Sequence, residues 1–110
     1  MNEQKVKGIL GFAAKARQIS AGMDACRLLV RSGRCGILLI DDLTGPNTRK
    51  KAADLSVTAG TPLMILPEGM IEAATGKSSM ILGVAKGSFA EQITAILNAE
   101  NEKTVLKSSV

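Results

Sequence analysis

The sequence predicts a three-layer α/β/α sandwich around a four-stranded mixed, mostly parallel sheet. Three observations predict it. Short, continuously apolar runs such as Ile37-Leu38-Leu39-Ile40 are bounded by turn residues, the pattern of strands covered on both faces. Between them lie segments with apolar residues at helical spacing, and such alternation favours parallel pairing with right-handed crossovers. The length of 110 residues, 45% hydrophobic with no break in composition, fits one domain with one core.

The elements follow in order. From Asn2 to about Arg17, Val6, Ile9, Leu10, Ala13 and Ala14 recur at helical spacing among Lys5, Lys7 and Lys15, which predicts an amphipathic helix. Gly8 and Gly11 weaken it slightly but permit close packing of its surface. Gln18–Ala21 reads as a short extended piece, and Gly22 opens a second helix from Met23 to about Ser32. Asp24 in its first turn suits the macrodipole, and Gly33 suits its end. Gly36–Ile40 is a buried strand. Thr44-Gly45-Pro46-Asn47 turns into a third helix running to Ala59, which Gly60 stops. Thr61–Leu66 is a further strand, and Pro67-Glu68 starts a short helix through about Ala74. A polar loop, Thr75–Ser79, leads to the strand Met80–Ala85, and Lys86-Gly87-Ser88 turns into a last helix from Phe89 to about Ala99. The domain is therefore placed at residues 1–101, with 102–110 a flexible tail.

Composition narrows the function classes. No apolar stretch approaches the roughly 18–20 residues of a membrane helix, and the Met-Asn-Glu-Gln-Lys opening lacks a signal peptide's apolar run, so a cytoplasmic location is expected. Two cysteines and no histidine make neither a disulfide framework nor an ordinary zinc site, so Cys26 and Cys35 read as buried thiols acting as small apolar residues. Residues 1–51 hold ten bases against four acids, whereas 52–110 hold four bases against six acids. That asymmetry predicts an electropositive face suited to a polyanion.

Catalysis finds no support in the residue types. Without histidine there is no serine triad and no histidine acid–base pair. Asp41-Asp42 closes a strand but reads as a solvated loop, and no spaced carboxylates suggest a metal. Gly76-Lys77-Ser78 imitates the end of a P-loop, but Ile71 stands where the first glycine is required and a strand rather than a helix follows. Gly8-Ile9-Leu10-Gly11 lies within an amphipathic helix, so it suits packing better than a GXXG clamp. Phe12 and Phe89 are the only aromatics and both fall on apolar helical positions, so base stacking on exposed rings is not expected. No enzyme activity, catalytic residue, metal or cofactor is expected.

Helix ends and polar loops remain. The Ser20-Ala21-Gly22 turn delivers unpaired backbone N–H groups at the start of helix two, where a phosphate or base edge would fit. Arg27 and Arg31 share a face of that helix, Lys15 and Arg17 precede the turn, and Thr75–Ser79 adds Lys77 and three hydroxyls.

Leu10-Gly11-Phe12-Ala13-Ala14-Lys15-Ala16-Arg17-Gln18-Ile19-Ser20-Ala21-Gly22 resembles the opening of the ribosomal L-seven-Ae / L-thirty-e family, nearest its bacterial YlxQ-like branch. Arg31–Asp42 resembles that family's helix end, glycine and strand, and Pro46–Lys51 its third-helix start, so the likeness runs from about residue 5 to residue 97. The resemblance implies an L-thirty-e-like fold that binds kink-turn RNA, a sharply bent internal loop flanked by sheared G·A pairs. It implies structured RNA, ribosomal RNA included, as the partner of a monomeric, ribosome-associated protein. In that family the start of helix two enters the groove at the G·A pairs, and the loop before the last strand covers splayed bases. Gly22, Met23, Asp24, Ala25 and Leu28 then fall on the helix-two contact, and Thr75, Gly76, Lys77, Ser78 and Ser79 on the loop. Lys15, Arg17, Arg27, Arg31 and Lys77 would neutralise phosphates.

Gly22 keeps the family's helix-two pattern, but Asp24 replaces its asparagine, Ala25 its glutamate and Leu28 its lysine. An aspartate accepts hydrogen bonds but has no amide N–H to donate. These departures leave a second reading beside RNA binding: a protein-interaction or scaffold module of the same fold with a degraded RNA site.

Overall fold

The computed structural model describes the backbone of residues 2–108 and the side chains of residues 2–99. The first helix, α1 (Glu3–Lys15), starts where the Asn2 side chain accepts from the Lys5 N–H at 3.1 Å, an N-cap that satisfies one orphan donor. It buries Val6, Ile9, Leu10 and Ala13, the stripe expected from their spacing. Next come β1 (Ile19–Ala21), α2 (Met23–Arg31), β2 (Cys35–Asp41), α3 (Pro46–Ala59) and β3 (Leu63–Leu66). The chain closes with α4 (Met70–Thr75), β4 (Ile81–Ala85) and α5 (Ser88–Ser108).

Two apolar layers confirm the sandwich. One packs α1, α4 and α5 on one sheet face through Leu10, Ile71, Ile93, Ile37, Leu39, Leu82 and Val84. The other packs α2 and α3 on the opposite face through Cys26, Leu29, Ala52, Leu38, Ile40 and Ile81. Consecutive residues of β2 alternate between these layers, which is why its whole run is apolar.

The sheet order is β1-β4-β2-β3, and here one expectation is corrected. The sheet is mixed, but β2–β3 is parallel while β1–β4 and β2–β4 are antiparallel, so parallel pairing is the minority. The connection from β3 to β4 holds only the six-residue α4, and it returns the chain beside the end at which β3 left. Helix α4 docks on α1, at Gly11, where an added Cβ would meet the Ala74 carbonyl at 3.5 Å. The close packing expected at that glycine is present.

Other boundaries shift for local reasons. Pro67-Glu68 does not enter a helix, because the left-handed Gly69 intervenes before Met70. Thr75 is the last residue of α4 rather than the first of a loop. The last helix passes the end expected near Ala99 and continues through Ser108, since no Gly or Pro interrupts residues 100–108. Ser109 and Val110, the end of the expected tail, lie outside the described residues. Asp41 is not a solvated loop residue: it closes β2 at 4% exposure, and only Asp42 is exposed. Phe89 packs against the core, whereas Phe12 is 65% exposed, away from the apolar stripe of α1.

A register shift between Cys35 and Ile37 places the Cys35 side chain in the α2 layer and backs Gly36 onto α5. A Cβ on Gly36 would lie 2.5 Å from the Ala90 Cβ and 3.2 Å from the Lys86 Cα. Gly36→Ala is therefore expected to cost about 1–3 kcal/mol of stability by overpacking. Gly8→Ala, within α1 and facing nothing within 4 Å, is expected to gain about 0.5–1 kcal/mol. Urea denaturation of the pair checks both signs, and a Gly36→Ala midpoint equal to wild type refutes the close contact.

Cys26 and Cys35 are free and buried, as expected. Burial, then the neighbouring Cys35, pushes the Cys26 thiol up to about 12, and burial also raises Cys35. The unfolded thiol ionises near 9.0, so the stabilising contribution of protonated Cys26 is full below that pH and is lost as pH rises toward 12. Both thiols should resist a thiol reagent at pH 8 and react fully in denaturant; rapid labelling of the native protein would contradict the burial.

Candidate nucleic-acid interface

Because β4 runs against its neighbours, the carboxyl ends of β1, β2 and β3 meet the start of β4 at one end of the sheet. Open α/β sheets build their sites at such ends, where loops and helix starts gather. Two backbone carbonyls of β4's approach organise this one. The Ile81 carbonyl accepts the Gly22 N–H at 3.0 Å, which sets the start of α2 beside the 75–79 segment. The Met80 carbonyl accepts the Asp41 N–H at 2.9 Å and the Thr44 hydroxyl at 3.3 Å, which brings in the β2–α3 loop.

Gly22 caps α2 with φ 96 and ψ 156, a conformation open in practice to glycine alone, and it offers no side-chain acceptor. The first N–H groups of α2 therefore point outward without a capping side chain. Asp24 stands fully exposed beside them, 3.4 Å from Arg27. Ala25 is half-buried, and Met23 packs against the α2-side core, so it supports the helix start more than it presents itself. Leu28 is 69% exposed on the outer face.

The 75–79 segment is ordered by its own hydroxyls. Thr75 Oγ1 donates to the Ile71 carbonyl at 2.6 Å and accepts the Lys77 N–H at 3.1 Å, while Ser79 Oγ donates to the Ile81 carbonyl at 2.8 Å. Two of the three hydroxyls expected for a ligand thus hold the loop itself. Gly76 takes the left-handed turn at φ 75, and Lys77 and Ser78 are exposed.

The remaining basic residues are not brought to this place. Lys15 and Arg17 precede β1 and lie at the opposite end of the sheet. Arg31 is in the last turn of α2 and therefore faces that end as well. Arg27 and Arg31 line a groove of about 470 Å³ against α3, with Lys51, Asp54 and Leu55. Sequence spacing correctly gave Arg27 and Arg31 a common face, but not their distance from the 75–79 segment.

Four residues that shape the α2 end carry no distinct signal in the sequence. Leu43 and Met80 are 60% and 48% exposed, so an apolar surface flanks the turn. The signal was an apolar residue beyond each polar turn, which reads equally well as core. Asp41 accepts the Leu43 N–H at 2.8 Å and the Gly69 N–H at 2.9 Å, joining the loops after β2 and β3. Arg49 straps the same loop, donating to the Thr44 carbonyl at 2.9 Å and the Asp42 carbonyl at 2.6 Å. Among the described residues no cluster of three metal-ligating side chains occurs, and no helix is long and apolar enough to cross a membrane.

Comparison with known proteins agrees with this architecture. No family model and no curated protein matches the sequence. Among solved structures, a Bacillus halodurans protein of unknown function is 26% identical with a TM-score of 0.80, over 86% of this chain and 97% of its own. The 15.5 kD RNA-binding protein of Giardia lamblia is 14% identical with a TM-score of 0.73, over 94% of this chain and 90% of its own. The Pelota protein of Thermoplasma acidophilum is 16% identical with a TM-score of 0.60, over 76% of this chain but 28% of its own. The chain thus has the α/β fold of a known RNA-binding protein.

Removing the Asp41 carboxylate leaves two loop N–H donors without their acceptor. Asp41→Ala is expected to cost about 2–6 kcal/mol, at one to three for each of the two partly buried donors left unpaired. A denaturation midpoint within error of wild type would mean that the carboxylate does not join the two loops.

Proposed function

We propose that this chain is a non-enzymatic RNA-binding protein that recognises structured RNA of the kink-turn type, acting as a monomer on ribosomal or related RNA. The observation that carries the reading is the bond from the Gly22 N–H to the Ile81 carbonyl. It sets an uncapped helix start, able to take phosphates or base edges, next to an exposed loop carrying Lys77. Flanking Leu43 and Met80 offer apolar contact to bases splayed from a bend, without an aromatic platform. The matching fold of an RNA-binding protein over nearly the whole chain supports the same reading.

One observation favours the scaffold alternative: a fully exposed aspartate beside the helix start and an exposed leucine on the same helix. The carboxylate repels phosphate, and the leucine suits a protein partner.

A fluorescence titration of a kink-turn RNA against a straight duplex of equal length, at two salt concentrations, separates the readings. A preference of tenfold or more, about 1.4 kcal/mol, is expected for the kinked RNA. Asp24→Asn removes a repelling charge and adds an amide donor, so it should tighten binding several-fold. Equal affinity for both RNAs would defeat kink recognition, and binding to neither would favour the scaffold.

A further inference from the structure

Resting on the reading of RNA as the partner, we propose that the sheet end opposite the helix-two entry is a second RNA surface, which grips the phosphate backbone of a duplex arm. Three bases come from neighbouring strand ends there. Arg17 precedes β1, Arg34 precedes β2, and Lys86 follows β4. Backbone bonds lock these ends together: the Ala85 N–H donates to the Gln18 carbonyl at 2.9 Å, and the Lys86 N–H to the Arg34 carbonyl at 2.8 Å. Lys15 and Arg31 join them from the last turns of α1 and α2. All five are exposed, and none forms an ion pair among the described residues.

Helix stabilisation accounts for Lys15 and Arg31, whose charges suit helix C-termini. Arg17 and Arg34 follow the C-caps of α1 and α2, where their N–H groups donate to the Ala14 and Leu29 carbonyls. The left-handed φ of 58 at Arg17 therefore belongs to the turn that ends α1, and both charges also suit those helix ends. Lys86 has no such role: it precedes the start of α5, where the macrodipole disfavours a cation. Among the described residues, Asp24, Asp42, Glu68 and Glu72 belong to the α2-entry end, where they offset Arg49, Lys50 and Lys77. Glu91 of α5 faces Lys86 across a shallow groove, and Asp54 of α3 shares a groove with Arg31. An RNA held at the α2 entry therefore meets little net positive charge there. The concentrated positive field lies at the far end of α2, whose nine residues span about 13 Å.

Geometry selects the ligand. Three adjacent strands spread the bases over about 10 Å rather than converging on one point. Such spacing suits successive phosphates of a backbone better than a single small anion, and the contact is sequence-independent and salt-sensitive.

The test is a titration of straight duplex RNA, without any kink, at several salt concentrations. Wild type is compared with the triple variant Arg17→Gln, Arg34→Gln, Lys86→Gln and with Lys7→Gln, an exposed base of α1 outside both surfaces, each checked by thermal melting. The triple variant should lose at least tenfold in affinity at low salt, and its log–log salt slope should fall by about 0.9 per lost phosphate contact. Lys7→Gln should bind the duplex as wild type does. A folded triple variant with wild-type affinity and slope overturns the proposal, as does wild type failing to bind duplex at low salt. Loss of kink preference with the duplex result intact would instead sink only the kink-turn reading.

Discussion

The carbonyls of Met80 and Ile81 form the junction on which the candidate interface depends. They belong to the start of β4, the one strand that runs against the other three, and they receive donors from β1's exit and from the loop after β2. Had β4 paired in parallel, its start would lie at the other end of the sheet, and the 75–79 segment would not meet the start of α2. The connection through α4 returns the chain to the end it left, and α4 rests on α1 with Ala74 in ordinary contact at Gly11.

Around that junction the interface is made rigid by groups that do not face a ligand. Asp41 joins the loops after β2 and β3, Arg49 straps the first of them, and the hydroxyls of Thr75 and Ser79 shape the 75–79 segment internally. What is left for a partner is simple: backbone N–H groups of a helix start, one lysine, and two exposed apolar side chains. Such a surface reads shape and backbone more readily than base identity, since few side-chain donors converge on it.

Charge is distributed by a different rule. The helix start carries Asp24, which the macrodipole favours, and the helix ends carry Lys15 and Arg31, which it favours equally. In α1 and α2 helix stabilisation thus favours acids at the starts and bases at the ends, whereas α3 carries Arg49, Lys50 and Lys51 in its early turns. Arg17 and Arg34 continue the ends of α1 and α2, and Lys86 adds a base beside them after β4. Five exposed bases, Lys15, Arg17, Arg31, Arg34 and Lys86, fall at the sheet end away from the helix start.

Much of the fold was legible in the sequence. Local periodicity and turn chemistry act within a few residues, so the stripe of α1, the buried run of β2, the stop at Gly60 and the burial of both cysteines follow from neighbours along the chain. Strand direction does not. Alternating elements look alike whether the last strand enters parallel or reversed, and the direction is settled by tertiary packing, with α4 on α1 and β4 between β1 and β2. The same limit governs the site. Gly22 and the 75–79 segment stood out locally, whereas their adjacency depends on the reversed β4, and Asp41 read as solvated because one of its two N–H partners, Gly69, lies on the loop after β3. Grouping Lys15 and Arg17 with Gly22 followed their closeness in sequence. An extended strand carries the chain away by about 3.3 Å per residue, so β1 alone places them at opposite ends.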